Sequence, residues 1–182
     1  MRNYLRKFLS DRGGLGAVEF ALIAPVLLLI YLGSADLADG FDTNKKVSRS
    51  ASSLADLVAR QLSVTKNDLD DMFNIGRASL LPYGRSDPKI RITAIRIDGT
   101  TSAKNLTPKV DWSYANIANF AAKKGGNGDL PAGLVGEGSY FIKVDVELDY
   151  KPLNAWISTS IPMRETYYLA PRYTNTIPCT NC

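Results

Sequence analysis

Residues 13–35, from Gly13 to Ala35, read G-G-L-G-A-V-E-F-A-L-I-A-P-V-L-L-L-I-Y-L-G-S-A, with Glu19 as their only charge. At about 1.5 Å of rise per residue, a helix over this stretch crosses a hydrocarbon core of roughly 30 Å. A carboxylate on such a run costs on the order of a few kcal/mol in lipid unless it is paired or protonated, so Glu19 is a functional candidate in need of a cation. Upstream, Arg2, Arg6, Lys7 and Arg12 face the single acid Asp11. That positive-inside bias keeps the N-terminus in the cytoplasm and sends the rest of the chain outside. Pro25 removes the amide that would bond the Ala21 carbonyl, which predicts a kink or a locally melted turn.

Two other uses of an apolar N-terminal run compete. A plain signal anchor would simply tolerate Glu19. A secretory signal peptide would be cut near Gly33-Ser34-Ala35, leaving Asp36 first, but the run is longer than the usual apolar region of a signal peptide and has Glu19 inside it. The exterior part is long enough to bury a core as one modest domain. The chain has 182 residues and a formal net charge of +4, and the four cations and one anion of the leader account for +3 of it. No basic run interleaved with aromatics occurs elsewhere, so nucleic acid is not an expected partner.

Histidine is absent. That excludes Ser-His-Asp and Cys-His catalytic sites and any His-bearing zinc site. No other nucleophile–base pair or metal constellation emerges, so the chain reads as a non-enzyme with no cofactor and no metal. Cys179 and Cys182 end the chain as C-T-N-C, and outside the membrane their default is a disulfide, within this short loop or between chains.

After Ala35 apolar residues recur every three or four positions at Leu37, Phe41, Val47, Ala51, Leu54, Ala55, Val58 and Leu62, which predicts that the helix continues to about Leu62. Gly40 to Asn44 is its weak point. Ser63 to Pro82 reads as a second helix, with Thr65 and Asp68 in capping-box spacing. Its acids Asp68, Asp70 and Asp71 make a charged helix start and lack the Gly and terminal Glu of a calcium loop. From Lys89 to Asp98 the period becomes two, a half-buried strand. Lys109 to Tyr114 is a second strand with Val110 and Trp112 on one face, and Asn116 to Lys124 is expected as a short helix. Ser139 to Tyr150 alternates most clearly, with Lys143, Asp145, Glu147 and Asp149 opposite the apolar set. Ile161 to Ala170 reads as a last strand. The expected fold class is therefore α+β, a long N-terminal helix, transmembrane then amphipathic, packed on a small antiparallel β-sheet domain. The expected divisions are 1–14 cytoplasmic leader, 15–35 transmembrane helix, 36–62 amphipathic continuation, 63–172 exterior α+β domain and 173–182 C-terminal tail.

A cut after Gly14 would make Leu15 the first residue and Glu19 the fifth. Basic leader, small residue, cut point and fifth-position Glu before an apolar helix resemble the class III signal of type IV pilins. The wording G-A-V-E-F-A-L-I-A-P-V-L-L-L, Gly16 to Leu29, resembles more narrowly the TadE/TadG-like family of tight-adherence (Flp) pilus assembly proteins. Val110-Asp111-Trp112-Ser113, Tyr150-Lys151-Pro152 and Ala170-Pro171-Arg172 are similar to softer recurrent segments there. The resemblance implies a pilin-like fold and a minor pilin or pseudopilin of the inner membrane, its C-terminal domain periplasmic. Its implied partners are a prepilin peptidase acting at Gly14 and Leu15, other pilin subunits and the pilus assembly platform. Glu19, Phe20 and Pro25 are the implied processing and assembly residues. The new α-amino group on Leu15 lies one helical turn from Glu19, so the missing cation is that amine, from the same chain or from a neighbour; pilin relatives imply the neighbour. Longer relatives carry von Willebrand A domains, and Asp98-Gly99-Thr100-Thr101-Ser102 approaches their D-x-S-x-S metal motif. It has Thr in the second slot and too little chain behind it for that fold. The alternative from another class is an unprocessed single-pass envelope protein whose exterior domain binds a ligand or surface.

Overall fold

A computed structural model describes residues 14–97, 106–136, 138–153 and 159–182. The leader before Gly14 and the Asp98 to Ser102 motif lie outside them. One helix, α1, runs from Leu15 to Ala59, on the order of 67 Å at 1.5 Å per residue. It passes through Pro25 and through the segment from Gly40 to Asn44 without a break, so neither the melted turn nor the weak point is seen. It stops three residues before Leu62, which is exposed.

A two-residue strand β1 (Val64–Thr65) leads into helix α2 (Lys66–Ser79). The capping box is complete: the Asp68 amide donates to Thr65 Oγ1, and the Thr65 amide donates to the Asp68 carboxylate. Two backbone donors at the helix start are thereby satisfied. Four longer strands follow, β2 (Lys89–Ile97), β3 (Pro108–Ala115), β4 (Tyr140–Tyr150) and β5 (Ile161–Leu169), with a short β6 (Cys179–Thr180) at the end. The four form one antiparallel sheet in the order β3-β2-β4-β5, and β6 pairs in parallel with β1.

Both helices lie on one face of the sheet. The second half of α1 presents Val47, Ala51, Leu54, Ala55 and Val58, and α2 presents Leu69, Met72 and Phe73. They close over Ile90, Ile92, Ala94, Ile142, Val144, Val146 and Leu148. Alternation at period two is what puts the β4 residues on a single face. The two helices and the sheet meet closely at Gly76, where an added Cβ would come within 2.9 Å of both Leu54 Cδ1 and Ile90 Cδ1.

Two local expectations give way. A register shift between β2 and β3 pairs Ala94 with Trp112 but Ile95 with Val110. The bulge turns Trp112 into the core under the helices, while Val110 does not join that cluster, so the two do not share a face. Residues 116–124 form turns and no helix. Asn116 accepts from the Ile90 amide and donates to the Pro88 carbonyl, and the Ala122 amide donates to Ser113 Oγ, so the segment's polar groups are committed to the sheet. Its Phe120 carbonyl accepts from Arg91 on the outer face of the sheet, the face on which Lys143 and Asp145 are buried.

The tail straps the second half of α1 to the sheet. The Arg172 amide donates to the Ala59 carbonyl, Ile177 is fully buried, and the Ile177 carbonyl accepts from Trp112 Nε1 at 2.7 Å and Tyr140 Oη at 2.9 Å.

Candidate functional site

The first turns of α1 carry the processing and assembly residues named from the sequence. Gly14 sits at the helix start, where its carbonyl accepts from the Ala17 and Val18 amides at 3.1 and 3.2 Å. No side chain caps this end. Because orphan amides at a helix start otherwise depend on a cap or on solvent, this is the turn of α1 most readily opened. Glu19 and Phe20 are exposed on the helix and Pro25 lies within it. No residue from Gly16 to Ala35 is buried. Among the described residues this is the one helix long and apolar enough, by length and composition, to cross a membrane. Exposed Val, Leu and Ile side chains over some twenty positions need an apolar solvent, and lipid supplies one.

Burial begins abruptly at Asp36, the residue after the apolar run. From there the covered stripe is Asp36, Thr43, Val47, Ser50, Ala51, Leu54, Ala55 and Val58. Leu37 and Phe41, expected on that stripe, are 61% and 62% exposed. The helix therefore turns polar residues to the domain just past the exposed apolar run and apolar ones only further on.

The polar residues form a clasp with the open end of the sheet. The single Tyr150 hydroxyl proton is shared between the Asp36 carbonyl at 3.2 Å and Asp39 Oδ2 at 3.0 Å, and the Leu153 amide donates to Asp36 Oδ1 at 3.0 Å. Arg85 pairs with Asp39 and lies over the rings of Tyr83 and Tyr150, which stack on each other at 5.4 Å. Tyr83 Oη in turn accepts from the Lys151 amide. Burial, and then the hydrogen bond to Asp39, push the Tyr150 phenol up from 10.0 to about 12. It is a donor at any physiological pH. Sequence reasoning missed this cluster, although an acid placed one residue beyond an apolar run was a signal for it.

On the outer face Arg91 pairs with Asp145 at 2.8 Å and Lys143 with Asp129 at 2.6 Å, while Thr166 Oγ1 donates to Asp145. Burial pulls the Lys143 ammonium down, but the hydrogen bond to Asp129 and the charge of Asp145 outweigh it and leave its pKa raised. The same hydrogen bond holds Asp129 below the usual carboxylate range. Both shifts keep the pair ionised, so this network pins the covering loop to the sheet. Among the described residues no group of three or more Asp, Glu, Cys or His gathers as a metal would need. Cys179 and Cys182 are bonded to each other across the C-terminal loop.

The layout is that of a chain with one exposed apolar N-terminal helix of membrane-spanning length carrying an α+β domain, consistent with single-pass anchoring. Over residues 14–56 the chain matches the family described as TadE-like protein. The match covers the exposed run, the clasp acids and most of the buried stripe of α1. No curated protein and no solved structure matches the chain.

Proposed function

We propose that this chain takes part in assembly of a tight-adherence (Flp) pilus as a minor pilin or pseudopilin, supporting adhesion and biofilm formation. The observation that carries the proposal is the TadE-like match at residues 14–56, which begins at Gly14 and contains Glu19 on an uncovered apolar helix. A prepilin peptidase cuts after Gly14 on the cytoplasmic side of the inner membrane, and the helix then assembles or docks through residues 15–31 with the other subunits and the assembly platform. The freed amine on Leu15 neutralises Glu19, removing the cost of a lone carboxylate in lipid and setting the axial register between neighbours. The domain beyond Asp36 stands in the periplasm or on the surface filament. The terminal disulfide is the state expected in that oxidising compartment.

The test is the N-terminal sequence and intact mass of membrane-derived protein, with and without the prepilin peptidase. A peptidase-dependent start at Leu15 is the expected result. A start at Asp36 would mean a secreted domain and overturn the proposal, and an intact Met1 or Arg2 would favour the unprocessed envelope protein. Glu19→Gln is expected to insert normally and to lower pilus output sharply; unchanged output would count against the assembly role.

A further inference from the structure

Just above the point where α1 leaves its apolar run, an open groove of about 560 Å³ lies between the helix and the start of β5. Gly33, Leu37 and Phe41 line one wall, and Pro152, Ile161 and Pro162 the other. Its height along the helix is set by hydrogen bonds already described: Asp36 holds the Leu153 amide and receives the Tyr150 hydroxyl, so the end of β4 sits level with the end of the apolar run. At that level Leu37, Phe41, Leu153 and Ile161 are exposed by 61%, 62%, 66% and 49%. Such side chains have no reason to face water at a membrane surface. Basic groups stand at the rim: Lys151 is exposed, and Arg164, with its side chain 70% exposed, reaches Glu147 only at 3.5 Å. Apolar side chains flanked by Lys and Arg are the pattern that lies in a bilayer interface.

We propose that this groove docks phospholipid of the bilayer that α1 crosses, an acyl chain lying against Leu37, Phe41 and Ile161 with the headgroup phosphate toward Lys151 and Arg164. The inference rests on the membrane-spanning reading of residues 15–35. Lipid is the occupant because the groove begins at Gly33, inside the uncovered apolar run, and its wall continues that lipid-facing surface through Leu37 and Phe41, while the Asp36 carboxylate beside them is taken up by the Leu153 amide. Where an added Cβ on Gly33 would go there is open space, which leaves the entrance unobstructed. Docking there would hold the domain's open edge against the membrane and restrict its swing about α1.

The experiment places the full chain in nanodiscs of anionic phospholipid doped with a lipid carrying a diazirine on its acyl chain, irradiates, and maps the adducts by mass spectrometry. Adducts are expected within residues 16–35 and also at Leu37, Phe41, Leu153 and Ile161. Ile161→Asp and Leu153→Asp change exposed side chains, and each is expected to lower groove labelling about tenfold while labelling of 16–35 stays unchanged. Adducts confined to 16–35, or groove labelling indifferent to both substitutions, would overturn the lipid site. So would a chain-to-chain crosslink from a benzoylphenylalanine at position 153, which would make a second copy the occupant. Absence of label from 16–35 itself would instead sink the membrane-spanning reading on which the inference stands.

Discussion

The two halves of α1 are one unbroken helix with opposite relations to the rest of the chain. From Gly16 to Ala35 no residue is buried, whereas from Val47 to Ala59 a continuous stripe is covered by the sheet and α2. Hydrophobicity alone does not predict which half is buried in the protein, since the more apolar half is the uncovered one. What differs is the solvent each face is made for: a helix apolar all round suits lipid, and a helix apolar along one stripe suits a protein core. Between them the clasp at Asp36 and Asp39 ties the helix to the end of the sheet by hydrogen bonds and an ion pair, where the apolar core packing of the second half has not yet begun.

The comparison breaks most visibly in the core half. Leu54→Asp buries a carboxylate between Gly76 and the sheet and is expected to destabilise the exterior domain by about 4 kcal/mol while membrane insertion persists. Near-UV circular dichroism and a carbonate-extraction assay read the two halves separately; loss of both together would mean that they are one cooperative unit. Next is the strap. Ile177→Ala removes a fully buried side chain that seals the end of α1 against Trp112 and Tyr140, at about 3 kcal/mol in denaturant unfolding. The disulfide closes a loop with a sequence separation of only 3, so losing it by Cys179→Ser with Cys182→Ser is expected to cost less, about 2 kcal/mol or below.

The clasp responds more mildly and has a pH signature. Tyr150→Phe deletes donations to the Asp36 carbonyl and to Asp39, at about 1 kcal/mol. With the folded-state phenol raised to about 12 from 10.0, its contribution is complete below pH 10 and is lost as pH rises toward 12. The buried Tyr140 phenol is also raised, so it acts in the same direction in both proteins. Wild type should therefore lose stability more steeply than Tyr150→Phe between those pH values, and parallel curves would remove the clasp from the account. The smallest effect is expected where function is proposed to be greatest: Glu19→Gln should leave unfolding of the domain within about 0.5 kcal/mol, because Glu19 touches none of it.

Much of this architecture was legible in the residues. The apolar run, the capping box at Thr65 and Asp68, and the period-two pattern from Tyr140 to Tyr150 each reflect interactions within a few positions of chain, which local order in the sequence can specify. The short helix expected from Asn116 to Lys124 did not form because its polar groups have other partners: Asn116 bonds Ile90 and Pro88, 26 and 28 residues away, and the Ala122 amide bonds Ser113 in β3. Val110 and Trp112 parted faces because a bulge was needed to fit β3 to β2. Lys143 and Asp145 became buried because a loop from elsewhere covers them.

For the candidate site the division is similar. Gly14, Glu19 and the uncovered helix are properties of a single segment, and the sequence by itself determined them: the spacing of small, acidic and apolar residues sets where a helix starts, where its charge lies and which solvent it needs. The clasp, the groove beneath it and the strap through Ile177 were decided only by the tertiary structure. Their partners lie up to 117 residues apart, as Asp36 and Leu153 do, and no local pattern states which distant hydrogen bond a buried polar group will find when the chain closes.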